Sequence, residues 1–299
     1  MSKAYEPSIA ILDPADAERE MVLVKNKRAQ ARRNFLKNVG LAGAGVAAGV
    51  VLQGCSGSYN SSGTTSAAGP AQTDVLNFAL NLEYLEAEFY SYATTGAPLS
   101  SSVVGATSVA TGGAAVTFVT PGLQQIAAEI AMDEQNHVKF LRNALGGMAV
   151  AEPQINLSAM AGGSEATFLA IARAFEDTGV SAYAGASTLL SGQNLQYAAQ
   201  ILATEAYHAG NIRLRIILNN QTVSPTDPLD IPPAAPSNYF PVDSNSLALA
   251  RTPGQVLAIV YGGGVASAGA GLTMGGFYPA GVNGYFAGMP ASSPATTSV

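Results

Sequence analysis

Both histidines of this 299-residue chain follow a glutamate by three positions, in segments whose apolar spacing predicts long helices. The two segments are Glu134-Gln135-Asn136-His137 and Glu205-Ala206-Tyr207-His208. Residues three apart share one face of a helix, so each pair points a carboxylate and an imidazole in the same direction. Because these are the only histidines, the pattern favours a metal site built between two helices.

Four stretches, residues 73–94, 121–145, 164–191 and 193–219, have helical periodicity and similar length. They predict an all-α fold, a four-helix bundle. The third and fourth helices are antiparallel neighbours because only a very short connection at Gly192 separates them. Residues 146–163 are long enough to cross the length of the bundle. Residues 95–120 form a long insert between the first two helices, in which residues 103–104 and 116–119 favour a small hairpin.

The first and third helices should each supply one carboxylate to such a site. Glu83 and Glu176 are the candidates, because each is followed seven residues later by a tyrosine on the same helix face, Tyr90 and Tyr183. The order Glu-x6-Tyr then Glu-x-x-His therefore occurs twice. Glu86 remains an alternative to Glu83. The two tyrosines either contact the ligands from outside or fill the core.

Several further acidic residues have simpler interpretations. We expect Glu86 and Glu88 to face solvent or the edge of the first helix, and Glu129 and Asp133 to lie on a hydrated face. Asp133 precedes its Glu-x-x-His segment directly, whereas Thr204 takes the matching position in the fourth helix. A symmetric outer carboxylate is therefore not expected.

This pattern resembles the ferritin-like di-iron carboxylate superfamily. Residues 251–257 (RTPGQVL) and 275–284 (GGFYPAGVNG) are similar to the C-terminal part of exported bacterial ferritin-like proteins and plant desiccation-related proteins. The resemblance implies a ferritin-like four-helix bundle with two iron ions, or alternatively manganese, and Glu134 and Glu205 bridging them. The metal ligands that it implies are Glu83, Glu134, His137, Glu176, Glu205 and His208.

The resemblance also implies redox chemistry on ferrous iron, oxygen or peroxide. Four carboxylates balance the charge of two divalent ions, and without metal they would repel each other strongly. The single Cys cannot form a rubredoxin-type electron relay, so a catalase-like reaction, which needs no outside electrons, stays open. No catalytic residue beyond the ligands is predicted. The alternative is a metal-free structural or stress-related surface protein that uses the bundle as a scaffold.

The expected partners are metal ions and a small oxygen species. A net charge of −6 argues against nucleic acid, which needs clustered Lys and Arg. A homodimer remains open, whereas a closed storage cage is disfavoured by the insert and the long tail.

The N-terminal segment resembles a twin-arginine export signal, with Arg32 and Arg33 ahead of an uncharged Gly/Ala/Val-rich run. An uncleaved membrane anchor is the alternative. Leu52-Gln53-Gly54-Cys55 resembles a lipoprotein cleavage box, which makes Cys55 a candidate for lipidation. These features predict a periplasmic or cell-surface protein that contacts the membrane only through its signal or a lipid anchor.

The resulting organisation has four parts. Residues 1–55 are the signal with its lipobox, 56–72 a flexible linker, 73–219 the ferritin-like bundle, and 220–299 a Pro/Gly-rich extension. We expect the extension to pack on the bundle and to contain a short helix over 252–261; a flexible low-complexity tail is the alternative.

Overall fold

The computed structural model describes residues 69–294. The export residues Arg32 and Arg33, the lipidation candidate Cys55 and most of the expected linker lie outside that range. The described part is all-α, as predicted, with no extended strands and only isolated bridges. None of its helices combines the length and hydropathy that a membrane span requires. Its α-helices are α1 (Gln72–Thr95), α2 (Ser101–Val104), α3 (Leu123–Leu145), α4 (Glu165–Ala186), α5 (Gly192–Leu218), α6 (Pro253–Tyr261) and α7 (Ala266–Gly269).

Two of the described helices begin at a residue whose side chain caps the helix. Ser164 accepts a hydrogen bond from the Thr167 amide at the start of α4, and Thr252 forms a capping box with Gln255 at the start of α6. The predicted start of the second helix at Pro121 is wrong, because Gly122 takes a left-handed conformation with φ of 79° and the helix begins only at Leu123. The predicted third helix, which corresponds to α4, ends at Ala186, and the chain continues as a short 3-10 turn.

The four long helices form two pairs, α1 with α3 and α4 with α5, and α1 also contacts α4. Glu165 at the start of α4 accepts hydrogen bonds from the backbone of Val119 and Thr120, just before α3. The α3 and α4 helices therefore begin at the same end of the bundle. The connection between them runs back along its whole length, as its number of residues predicts.

The insert between α1 and α3 does not form the expected hairpin. Val103 and Val104 belong to the short helix α2, and Thr111 and Thr117 make parallel bridges to Asn156 and Ser164 in or beside the long connection. The insert thus pairs with another loop rather than with itself. Gly105 closes α2 in a left-handed conformation, with φ of 79°, and turns the chain away from a hairpin path.

The C-terminal extension covers the outer side of α1. The amide and carbonyl of Asn283 each pair with the side chain of Asn81, at 2.9 and 3.0 Å, and the Tyr278 hydroxyl donates to the Asn81 carbonyl at 2.7 Å. Phe277 is buried against Phe175 of α4. Consequently almost every residue of α1 is buried, including its charged ones.

Buried arginines tie the Pro-rich segment after α5 to the bundle. Arg213 of α5 pairs with Asp177 at 2.8 Å and donates to the carbonyls of Ile231, Asn238 and Tyr239. Arg173 of α4 pairs with the same Asp177 at 2.8 Å. Because each guanidinium has several acceptors, its burial is compensated. The carboxylate of Asp177 is therefore engaged in holding this segment and not in the site described below.

We expect Tyr278→Phe to lower the free energy of unfolding by about 1 kcal/mol, because it removes a buried hydrogen bond between the extension and α1. Urea unfolding measures the change. Tyr285→Phe is the control, because Tyr285 is 55% exposed and should be neutral. Equal stability of both variants and the wild type would contradict docking of the extension through this contact.

Candidate metal centre

The six residues that the sequence singled out as ligands converge at the centre of the bundle. Each of the four long helices contributes, and the four glutamates are fully buried. Two overlapping groups have ligand atoms that all lie within 4.8 Å of one another. The first group is Glu83, Glu134, His137 and Glu205; the second is Glu134, Glu176, Glu205 and His208.

The two imidazoles approach the carboxylates from opposite halves of the site. His137 Nδ1 lies 3.1 Å from Glu83, 3.2 Å from Glu134 and 3.4 Å from Glu205. His208 Nδ1 lies 2.9 Å from Glu134 and 3.4 Å from Glu176. Glu134 and Glu205 belong to both groups, so they occupy the shared middle of the cluster.

Several atoms of the cluster that could bind a metal are buried and have no hydrogen-bond partner among the described residues. They are both oxygens of Glu205, one oxygen each of Glu134 and Glu176, and Nδ1 of His208. His208 Nδ1 and Glu134 Oε1 are only 2.9 Å apart, yet their angles are unsuitable for a hydrogen bond. Unpaired buried polar atoms are costly, and lone pairs that converge without bonding one another fit a cation. The residues present therefore fit a di-metal site.

Burial and mutual repulsion shift the titration of the metal-free cluster. Burial, partly offset by the charge of His137, raises the pKa of Glu83 to about 7. Burial and then the neighbouring Glu134 hold the pKa of Glu205 well above its ordinary value. Burial would also raise the pKa of Glu134, but the charges of His137 and His208 outweigh it and lower that pKa. The metal-free site thus keeps protons that a metal would have to displace.

The two tyrosines bind the glutamates of the opposite half. The Tyr90 hydroxyl donates to Glu176 at 2.5 Å, and the Tyr183 hydroxyl donates to Glu83 at 2.5 Å. The spacing predicts that each tyrosine shares a helix face with the glutamate seven residues before it. In the structure, however, Tyr90 of α1 contacts Glu176 of α4, and Tyr183 of α4 contacts Glu83 of α1. Both tyrosines are buried and act as hydrogen-bond donors to the predicted ligands, not as core filling alone.

Asp133 was expected on a hydrated face, but it is partly buried and reaches across to α5. Its carboxylate lies 3.5 Å from His208 Nε2, the ring nitrogen that faces away from the glutamates. A carboxylate behind a histidine fixes the ring orientation and raises its basicity. Thr204, in the matching position, offers no carboxylate to His137. The spacing of residues within one helix does not reveal this contact, because it joins two helices.

The expectation that Glu86 and Glu88 face solvent is wrong. Glu86 is 4% exposed and points towards the cluster, where burial and the charges of Glu205 and Glu134 raise its pKa well above the ordinary value. Glu86 belongs to neither ligand group, so the structure favours Glu83 over it. Glu88 is also buried, and it accepts hydrogen bonds from the Leu99 amide and the Ser108 hydroxyl of the insert. Both residues are enclosed because the insert and the C-terminal extension cover α1.

We expect Asp133→Asn to weaken metal binding by about 10- to 100-fold, because His208 would lose the carboxylate that orients it. Competition with a chelator for added Mn(II) measures the affinity. Thr204→Ala is the matched control at the corresponding position of α5 and should change the affinity by less than about twofold. Equal affinities of Asp133→Asn and the wild type would show that the 3.5 Å contact has no such role.

A family model described as a ferritin-like domain matches residues 71–217, which span α1 to all but the last residue of α5 and hold all six predicted ligands. This part of the chain is a ferritin-like domain. It is also similar to the ferritin-like catalase Nec2 of Nesocodon mauritianus, with 26% identity over 280 residues. That similarity covers 75% of this chain and 87% of the relative, so it extends beyond the ferritin-like domain.

Proposed function

We propose that this protein is an exported ferritin-like metalloprotein that holds two ions of iron or manganese and carries out redox chemistry on peroxide. The observation that supports the proposal most strongly is the set of buried, unpaired donor atoms contributed by all four long helices. Such a set is costly without cations and balanced with them.

In this proposal each ion takes one of the two groups of ligands. Glu83 and His137 would hold the first ion, and Glu176 and His208 would hold the second. Glu134 and Glu205 belong to both groups and would be shared by the two ions. Carboxylate and imidazole donors suit iron and manganese, and the charge of four glutamates matches two divalent ions.

When bound, such a pair of ions supplies a redox centre that can accept and return two electrons. The chain supplies the surroundings. Tyr90 and Tyr183 orient Glu176 and Glu83 through short hydrogen bonds, and Asp133 orients His208. The complete burial of the four glutamates excludes bulk water from the cluster. These residues prepare a rigid, dry site for a small substrate.

Peroxide is the favoured substrate for two reasons. The relative Nec2 is named a ferritin-like catalase. In addition, the chain has a single Cys and therefore no built-in thiolate iron centre to deliver electrons. Disproportionation needs no outside donor, because one hydrogen peroxide is oxidised to oxygen while a second is reduced to water.

Metal analysis followed by an oxygen-electrode assay tests this function. After loading with Mn(II) or Fe(II), we expect about two ions per chain and release of one O2 for every two H2O2 consumed. Metal content far below one ion per chain would favour the scaffold alternative. Stoichiometric metal without oxygen release, but with consumption of oxygen on adding Fe(II), would replace peroxide by ferrous iron as the substrate.

Export and lipidation belong to the same proposal. They rest on Arg32, Arg33 and Cys55 and their sequence context. Replacing both arginines by lysine is expected to leave the protein inside the producing cell. Cys55→Ser is expected to release it from the membrane fraction. Export of the double-lysine variant would refute a twin-arginine route.

A further inference from the structure

Glu86 is the one buried carboxyl beside the cluster to which no role has been assigned. It lies one helical turn after Glu83 and makes no hydrogen bond to any residue in the described part of the chain. By contrast, Glu88 is held by the insert, and Glu83 accepts a hydrogen bond from Tyr183. A buried carboxyl without a fixed partner keeps both of its oxygens available for exchange with a ligand, a proton or water.

The repeat of the two halves is broken at this position. Glu86 follows Glu83 by three residues, and the residue that follows Glu176 by three is Gly179. A Cβ atom on Gly179 would lie 2.5 Å from Glu205 Oε2 and 3.3 Å from Glu86 Oε1. The missing side chain therefore makes room for both oxygens. They flank one point between α1 and α4, next to the shared middle of the cluster.

Glu86 and Gly179 also border a cavity of about 10 Å³, which is room for a single water molecule. Phe175 and Thr178 of α4 and Val260 of α6 form much of the remaining wall. Among the described residues, Glu86 is the only ionisable side chain that lines this cavity. Its carboxyl thus adjoins both the cluster and a place for water beside α6.

The other candidates for proton transfer at the cluster are already engaged. The four ligand glutamates are committed to the ions in the proposed function. The hydroxyl groups of Tyr90 and Tyr183 donate hydrogen bonds to Glu176 and Glu83. Asp133 lies behind His208, outside the cluster.

We propose that Glu86 carries protons between the metal site and the water-sized cavity beside α6, a role that rests on the proposed peroxide chemistry. Reduction of one H2O2 to two H2O takes up two protons and two electrons. Oxidation of a second H2O2 to O2 releases two protons and two electrons. The electrons balance between the two peroxides. Each of the two protons released in the oxidation passes through Glu86 to the water-sized cavity, and two protons return by the same path for the reduction.

Groups on every neighbouring element influence Glu86, so its pH response belongs to the whole cluster. They are Glu83 and Tyr90 of α1, Glu134 of α3, Glu176 and Tyr183 of α4, Glu205 of α5 and Tyr278 of the extension.

Glu86→Gln tests the proposal, because it keeps the size of the side chain and removes its proton exchange. We expect the variant to bind as much metal as the wild type and to consume peroxide about 100-fold more slowly. The pH dependence of turnover should lose one limb, and Glu86→Asp should recover part of the rate. Glu88→Gln, a buried carboxyl of the same helix that faces the insert, is the control and should keep the wild-type profile.

Infrared spectroscopy of the metal-free protein gives a second readout that does not depend on activity. Glu83, Glu176 and Glu205 also have raised pKa values, so several protonated carboxyl bands are expected in the wild type. We expect Glu86→Gln to lack one component of these bands, which shifts in D2O in the wild type. Loss of metal from Glu86→Gln would make Glu86 a ligand and overturn the proposal. A wild-type rate and pH profile in that variant, or a band that does not exchange with D2O, would overturn it as well. Failure of the wild type itself to consume peroxide with full metal content would refute the proposed function instead.

Discussion

Replacing Glu134 by alanine is expected to abolish binding of both metal ions. Glu134 belongs to both ligand groups and approaches both imidazoles, at 3.2 Å from His137 and 2.9 Å from His208. His208→Ala should leave at most one ion per chain, because it removes a ligand from one group only. Elemental analysis of the purified variants after loading with Mn(II) or Fe(II) measures the loss.

Glu129→Ala is the matched control for these variants. Glu129 is an exposed carboxyl on the same helix as Glu134, and its replacement should leave the metal content unchanged. Circular dichroism checks that each variant remains helical. Two ions per chain in a folded Glu134→Ala variant would remove Glu134 from the site, and the bridging assignment with it.

The metal-free protein is expected to lose several kcal/mol of stability between pH 5 and pH 8. In the unfolded chain a glutamate loses its proton near pH 4.5, whereas burial raises the pKa of Glu83 to about 7 in the folded state. Over that interval ionisation favours the unfolded chain, by about 3 kcal/mol for this residue alone. The raised pKa values of Glu86, Glu176 and Glu205 act in the same direction.

The histidines strengthen this trend at higher pH. The charges of the nearby glutamates raise the pKa values of His137 and His208, so stability is present below about pH 6.5 and is lost above it. The lowered pKa of Glu134 acts oppositely, but only at pH values below 4.5, outside the interval. Urea unfolding of chelator-treated protein at pH 5, 6, 7 and 8 measures the slope.

With added metal, the free energy of unfolding should rise with pH instead of falling, since metal binding needs deprotonated ligands and stabilises only the folded state. Glu83→Gln serves as the control. In the metal-free protein it should reduce the loss of stability with pH by the contribution of Glu83. A metal-free protein whose stability stays constant or rises from pH 5 to pH 8 would contradict the buried, mutually repelling cluster.

The repeated Glu-x-x-His pattern allowed the sequence to predict the bundle and the convergence of the candidate ligands. This succeeded because a three-residue spacing within a helix has a defined geometry, and because four long helices can meet only around one core. Capping residues such as Ser164 and Thr252 likewise act locally and can be recognised from their neighbours.

The contacts that the sequence did not predict all join separate helices or loops. Glu86 and Glu88 have the polar character of surface residues, and only the docking of the extension and the insert on α1 encloses them. The cross-wise hydrogen bonds of Tyr90 and Tyr183 depend on the distance between α1 and α4. Asp133 reaches His208 for the same reason. Periodicity describes one helix at a time and cannot supply these distances.

The reciprocal pairing of Asn81 with Asn283 joins positions 202 residues apart in the chain. During synthesis, the segment that becomes α1 leaves the ribosome long before the residues that cover it. The environment of its buried glutamates is complete only once the residues up to Asn283 have been made. Chains that stop before Asn283 are therefore expected to leave part of the first helix uncovered.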